Sequence, residues 1–251
     1  MSARRVPEGP PPAPVVQRVR LRYAKRGRLR FTSHRDFARA FERALRRAEV
    51  PMAYSAGFTP HPKISYVGAS PTGVASEAEY LEIGLARAVD VGRLCADLDA
   101  ALPEGLDVVE AAVAGSGSLA DRIEASAWRI EFPDVAPAAV ATALAAFLEL
   151  ADVTVERLTK SGRRTVDVRG PVVRAAVDAS SGPDRAILDM VVRQVTPAVR
   201  PDDVVAALRD VAGLAPALPP VAVRLAQGPL DEHGVVGDPL AADRAAATTP
   251  P

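Results

Sequence analysis

The sequence predicts an α+β fold with antiparallel sheets, and two observations carry that prediction. Short stretches of apolar–polar alternation, the period of a half-buried strand, interleave with stretches of helical period. The order strand, helix, strand, helix, strand then occurs twice, on either side of a Gly-Ser stretch at 115–118. Hydrophobic residues make up 48% of the chain but aromatics only 4%, so Ala, Val and Leu must fill the cores.

In chain order, residues 1–15 are Pro-rich and are expected to be disordered. In QRVRLRY, Val19, Leu21 and Tyr23 alternate with Arg18, Arg20 and Arg22, which predicts a strand. KRG (25–27) turns the chain, and RLRF (28–31) continues the alternation. A helix follows over about 34–48, with Ser33 as N-cap, Asp36 three positions on, and Phe37, Phe41, Ala44, Leu45 and Ala48 on one side. Pro51 stops it. Residues 52–76, rich in Gly and Pro, read as mostly irregular with room for one strand. Residues 79–85 read as a strand, 91–102 as a helix and 105–113 as a strand, and the Gly-Ser stretch reads as a hinge or linker.

The second half repeats the order. Residues 128–132 are a strand and 136–150 an Ala-rich helix, and three alternating segments carry strands through about 195. Residues 201–213 start with Pro at the first helical position and end at Gly, which predicts a helix, and 220–227 close as a strand. The order matches the β-α-β-β-α-β motif of ferredoxin-like folds. The expected organisation is a disordered tail at 1–15, a basic ferredoxin-like module at 16–114, a second such module at 119–228, and a disordered tail at 229–251.

Formal net charge is zero, but residues 1–68 hold fifteen Arg and Lys against four acids, and the remainder carries the opposite surplus. A basic segment on an acidic body marks an anion-facing surface. No apolar run reaches the roughly 18–20 residues of a membrane helix. The basic N-terminus has no apolar stretch behind it, so it does not read as a secretory signal. A cytoplasmic protein away from membranes is expected. The single Cys95 rules out an internal disulfide and a cysteine-held zinc or iron–sulfur site, and it reads as a small core residue.

Arg18, Arg20 and Arg22 share one face of their strand. Helices cover one side of a ferredoxin-like sheet, so these arginines are placed on the open side, where they contact phosphates and bases or pair with Glu79 or Glu82. Arg35, Arg39, Arg43 and Arg46 lie opposite the apolar stripe of the first helix and face water. Positive groups converge at the sheet end, where Lys25, Arg26, Arg28, Arg30, His34 and Arg35 cluster beside the helix N-terminus. That setting favours the neutral imidazole of His34, the form that accepts a proton, and makes His34 the candidate catalytic base. Two prolines flank His61 in GFTPHPK (57–63), which presents His61 and Lys63 on a rigid loop. Glu77, Glu79 and Glu82 lack partners at metal-ligand spacing, so no metal or cofactor is expected.

SHRD (33–36), FERALRRAEVP (41–51), YSAGFTPHPKIS (54–65) and SEAEYLEIGL (76–85) occur together and in order. In this set the chain resembles the radical-SAM-linked (radical-SAM-associated) protein family of unknown function. The resemblance implies a partner: a radical SAM protein, or a ribonuclease of the E/G type. The family has no established catalytic residues. The chain lacks the Cys-x3-Cys-x2-Cys motif and therefore cannot hold a radical SAM cluster itself. A weaker, fold-level resemblance is to Cas6-type tandem ferredoxin-like RNA-binding proteins, although their C-terminal glycine-rich loop is missing here. The expected function is that of an RNA-binding accessory protein in RNA processing or modification, and not of a stand-alone enzyme. Two alternatives are a metal-independent endoribonuclease using His34 and a protein–protein adaptor with no RNA contact.

Overall fold

A computed structural model describes residues 12–159, 162–178, 180 and 182–248. The described residues form a mixed α+β protein of ten strands and five α-helices. They divide into two compact units. The first takes residues 12–73, 78–120 and 240–248, and the second takes 74–77 and 121–239.

The first unit starts with β1 (Gln17–Lys25), whose Val19, Leu21 and Tyr23 are buried on one face as their alternation requires. The segment after it departs from expectation. Gly27–Phe31 is a 3-10 turn rather than a continued strand, opened by Gly27 at a φ of 52°. Ser33 then caps α1 (His34–Arg47), its Oγ accepting from the Asp36 N–H at 3.2 Å and donating to Asp36 Oδ2 at 2.7 Å. The helix ends where Glu49 turns left-handed at a φ of 51° and the Val50 N–H reaches back to the Leu45 carbonyl at 3.0 Å. Phe37, Phe41, Ala44 and Leu45 are buried against the strands, and each Phe contributes about 1.5–3 kcal/mol of burial.

Next come β2 (Ile64–Val67), β3 (Ala75–Leu85), α2 (Val91–Ala101) and β4 (Leu106–Val113). Asp90 caps α2 by accepting from the Arg93 N–H at 2.7 Å. β4 runs antiparallel to β1, and β2 runs antiparallel to β3. The strand order of this unit is therefore β4-β1-β3-β2. Leu81, Ile83 and Leu85 of β3 join Leu94 and Leu98 of α2 in the same core as α1, so both helices lie on one face of the sheet.

The second unit runs β5 (Ala125–Pro133), α3 (Pro137–Glu149), β6 (Thr154–Thr159), β7 (Gly162–Asp167), β8 (Val172–Val177), β9 (Arg185–Arg193), α4 (Pro201–Ala212) and β10 (Val221–Gly228). Its strand order is β10-β5-β9-β8, antiparallel throughout, with residues 75–76 pairing parallel to β10. The hairpin β6-β7 stands apart as a two-stranded sheet. With that hairpin set aside, both units show the element order strand, helix, strand, strand, helix, strand, and in both the spatial order is fourth, first, third, second. Trp128, Ile130 and Phe132 of β5 meet Val140, Leu144 and Phe147 of α3 and Val204 and Leu208 of α4 in the core. α4 opens on Pro201 and ends at Gly213 in the left-handed region, as its sequence indicates.

The C-terminal segment departs from the disorder expected of it. A bridge joins Leu230 to Val236, and α5 (Ala241–Thr248) follows. Leu240 is 0% and Asp243 1% exposed. Asp243 meets the buried Arg20 at 2.9 Å, and Arg244 pairs with Glu110 of β4. Of the N-terminal tail expected at 1–15, residues 1–11 lie outside the described residues, and 12–15 carry no regular structure. Among the described residues no helix is long and apolar enough to cross a membrane.

Candidate functional site

The structure sorts the cationic candidates into engaged and solvent-facing groups. Arg20 is the most deeply engaged, at 1% exposure. Its Nε donates to Glu82 at 2.9 Å, one guanidinium nitrogen donates to both Asp243 oxygens at 2.9 and 3.0 Å, and the other donates to the Gly117 carbonyl. Asp243 also accepts the Gly115 N–H at 2.8 Å. Burial works against the Arg20 charge, yet the hydrogen bonds and charges of Glu82 and Asp243 outweigh it and hold the guanidinium above its ordinary value. Arg20 is therefore a structural ion-pair centre, its guanidinium taken up by Glu82, Asp243 and the Gly117 carbonyl. The Gly-Ser stretch at 115–118 is bonded to the same centre through the Gly115 N–H and the Gly117 carbonyl.

Arg18 is exposed and bound to Glu82 at 3.0 Å. Arg22 is half-buried, with its Nε lacking a hydrogen-bond partner. Lys25 is buried and donates to the Pro71 carbonyl at 3.2 Å, so it too leaves the solvent-facing group. The side of the sheet expected to be open thus carries at Arg20 a residue sealed by carboxylates.

The sheet end is different. Arg28 and Arg35 are exposed and form no ion pair among the described residues, while Arg26 is exposed and paired with Asp107 at 2.8 Å. Arg30 is half-buried, and its guanidinium stacks 4.8 Å from the centroid of Phe31, which is 59% exposed. The short 3-10 turn and the Ser33 cap bring these groups to the start of α1. There the N–H groups of the first turn have no intrahelical acceptor and the positive end of the helix dipole lies. His34 is exposed at that start, with its ring edge-on to Tyr66 at 4.8 Å. The Tyr66 hydroxyl is buried without a partner. Desolvation, and after it the charge of Glu42, push its titration well above the ordinary tyrosine range.

His61 and Lys63 are exposed on the loop between α1 and β2, whereas His34 opens α1. The loop is stitched by the His61 N–H donating to Ser55 Oγ at 3.0 Å, by the Ser55 N–H donating to the His61 carbonyl at 2.9 Å, and by the Lys63 N–H donating to the Ala53 carbonyl at 2.8 Å. His61 lines a cavity of about 190 Å³ together with Arg46, Tyr54 and Glu42.

Sequence reasoning did not anticipate the exposure of two aromatic side chains, Phe31 at 59% and Phe58 at 69%; Tyr54, in the same loop as Phe58, is 42% exposed. Phe31 sits in an alternating run that reads as strand, so its exposure had no signal. Phe58 and Tyr54 flank Gly57 in the Gly/Pro-rich loop, and a loop aromatic beside cations is a signal that could have been used. Glu79 accepts the Ser70 N–H at 2.9 Å, and Glu82 is taken by Arg18 and Arg20. Among the described residues no group of three His, Cys, Asp or Glu gathers with metal-binding geometry.

Fold and site define a two-unit α+β protein carrying an exposed cationic and aromatic edge on its first unit. Over residues 18–201 the chain matches the family described as an uncharacterized protein conserved in bacteria (DUF2344), and it belongs to that family. A comparison with curated proteins found no match.

Proposed function

We propose that this chain is an RNA-binding accessory protein, built of two ferredoxin-like modules, that works in RNA processing or modification beside a radical SAM enzyme or an E/G-type ribonuclease. The fourth-first-third-second strand order of each unit supports the ferredoxin-like reading. One observation carries the RNA reading: just before and at the start of α1, Arg28 and Arg35 are exposed and unpaired among the described residues, and the exposed Phe31 ring carries the half-buried Arg30 guanidinium 4.8 Å from its centroid. Unpaired guanidiniums neutralise phosphates, and an exposed aromatic ring beside them stacks an unpaired base. The partner classes rest on the sequence resemblance alone.

The test is fluorescence anisotropy of labelled single-stranded RNA across a salt series. Affinity should fall with salt on a log–log slope near −0.7 for each phosphate contacted. Reversing Arg28 and Arg35 to Glu should weaken binding and shrink that slope. An unchanged affinity refutes the proposal, and absence of any RNA binding favours the adaptor reading. A second reading draws on the exposed imidazole of His34. If the protein cleaves RNA without metal, His34→Ala should abolish cleavage and leave binding intact.

A further inference from the structure

The cavity between the C-terminal half of α1 and the loop at 52–62 has walls of two kinds. Its floor includes the apolar Met52, and Pro60 and the half-exposed Tyr54 ring give it stiff, flat sides. Glu42, Arg46 and His61 supply one carboxylate, one guanidinium and one imidazole. At about 190 Å³ it is smaller than the roughly 300 Å³ at which drug-sized pockets begin, so it fits one ring system and not a whole coenzyme.

The loop holds this shape by its own bonds. Tyr54 and Pro62 form a bridge, Met52 bridges to Leu85, and Ser55 and His61 exchange hydrogen bonds. Glu42 and Arg46 lie one helical turn apart on α1, the helix whose start carries the cationic edge, and Arg39, Arg43 and Arg46 recur at helical spacing between that edge and the cavity.

We infer that this cavity is a subsite for a single splayed-out nucleobase, guanine by preference, an assignment that rests on the RNA-binding reading and deepens it. Single-stranded RNA is read by stacking unpaired bases on aromatic rings and by hydrogen bonds to their edges. The Tyr54 ring and the prolines supply the stacking surface. Glu42 is acceptor-only, so it selects a base edge that donates. Guanine alone offers N1–H and the 2-amino group side by side, a match for two carboxylate oxygens, whereas uracil offers one N–H between two carbonyls that a carboxylate repels. Arg46 and His61 are left for the phosphate or the acceptor edge.

Calorimetric titration of the full-length protein with guanosine and uridine 5′-monophosphates tests the assignment. The guanine nucleotide should bind at least about tenfold more tightly. Glu42→Gln should erase that preference, and Tyr54→Ala should weaken both nucleotides roughly tenfold. The Arg28→Glu, Arg35→Glu pair should leave mononucleotide binding unchanged while lowering affinity for RNA. Equal binding of the two nucleotides, no binding of the guanine nucleotide, or an unaltered preference in Glu42→Gln overturns the subsite. If the arginine pair leaves RNA affinity intact, the cationic edge fails and the mononucleotide result still judges the cavity by itself.

Discussion

Replacing Arg20 by Met would test the buried ion-pair centre of the first unit directly. The change keeps the length and apolar stem of the side chain but deletes all of its hydrogen bonds, to Glu82, to both Asp243 oxygens and to the Gly117 carbonyl. The two carboxylates fare differently. Glu82 keeps Arg18 at 3.0 Å and is partly exposed, so it loses little. Asp243 has a fully buried side chain and would keep the Gly115 N–H among its contacts. Removing one partner of a buried ion pair costs about 3–5 kcal/mol. The eight-residue α5 can undock and hydrate Asp243, which caps the loss toward the lower figure, near 3 kcal/mol. At about 2–4 °C per kcal/mol for a chain of this size, the melting temperature should drop by roughly 6–12 °C. Urea unfolding followed by far-ultraviolet circular dichroism measures the free energy. The double change Arg20→Met, Asp243→Leu should recover much of the loss, since an apolar pair can replace a buried ion pair. A single-variant loss below about 1 kcal/mol, or strict additivity in the double variant, would refute the claim that Arg20 and Asp243 act as a unit.

Two further outcomes follow from other sites. Tyr66→Phe should leave stability at neutral pH unchanged or raised by up to about 1 kcal/mol, because the buried hydroxyl has no partner to lose. The folded-state titration of Tyr66 lies above its ordinary value of 10.0, so its contribution is full below that pH and is lost as pH rises beyond it. Denaturant midpoints across pH 9–11.5 should accordingly fall more steeply for the parent than for Tyr66→Phe, and parallel curves would contradict this. Gly228→Ala should be strongly destabilising, because an added Cβ would collide with the Gly237 carbonyl oxygen and lie 2.9 Å from Pro239. Native-state hydrogen exchange over 229–239 should accelerate, and unchanged protection would show that the segment adjusts freely.

Local rules made most of the elements legible. The alternation of Val19, Leu21 and Tyr23, the Ser33–Asp36 cap and the Pro201-to-Gly213 helix are written within a few neighbouring residues, and the structure realises each of them. A period of two or of 3.6 residues reports which side of an element seeks a core. It does not report what lies across from the other side. Arg20, Arg22 and Arg18 are equivalent by period, yet Arg20 alone is sealed, because Asp243 arrives from 223 residues away. Phe31 likewise reads as a core residue in an alternating run and becomes exposed once Gly27 starts a 3-10 turn.

By itself, then, the sequence determined the order of strands and helices, the caps, and the concentration of positive charge in the opening third. Only the tertiary structure decided which of those charges meet water. Desolvation and ion pairing depend on groups far apart in the chain, and a guanidinium faces a phosphate or a buried carboxylate according to what packs against it.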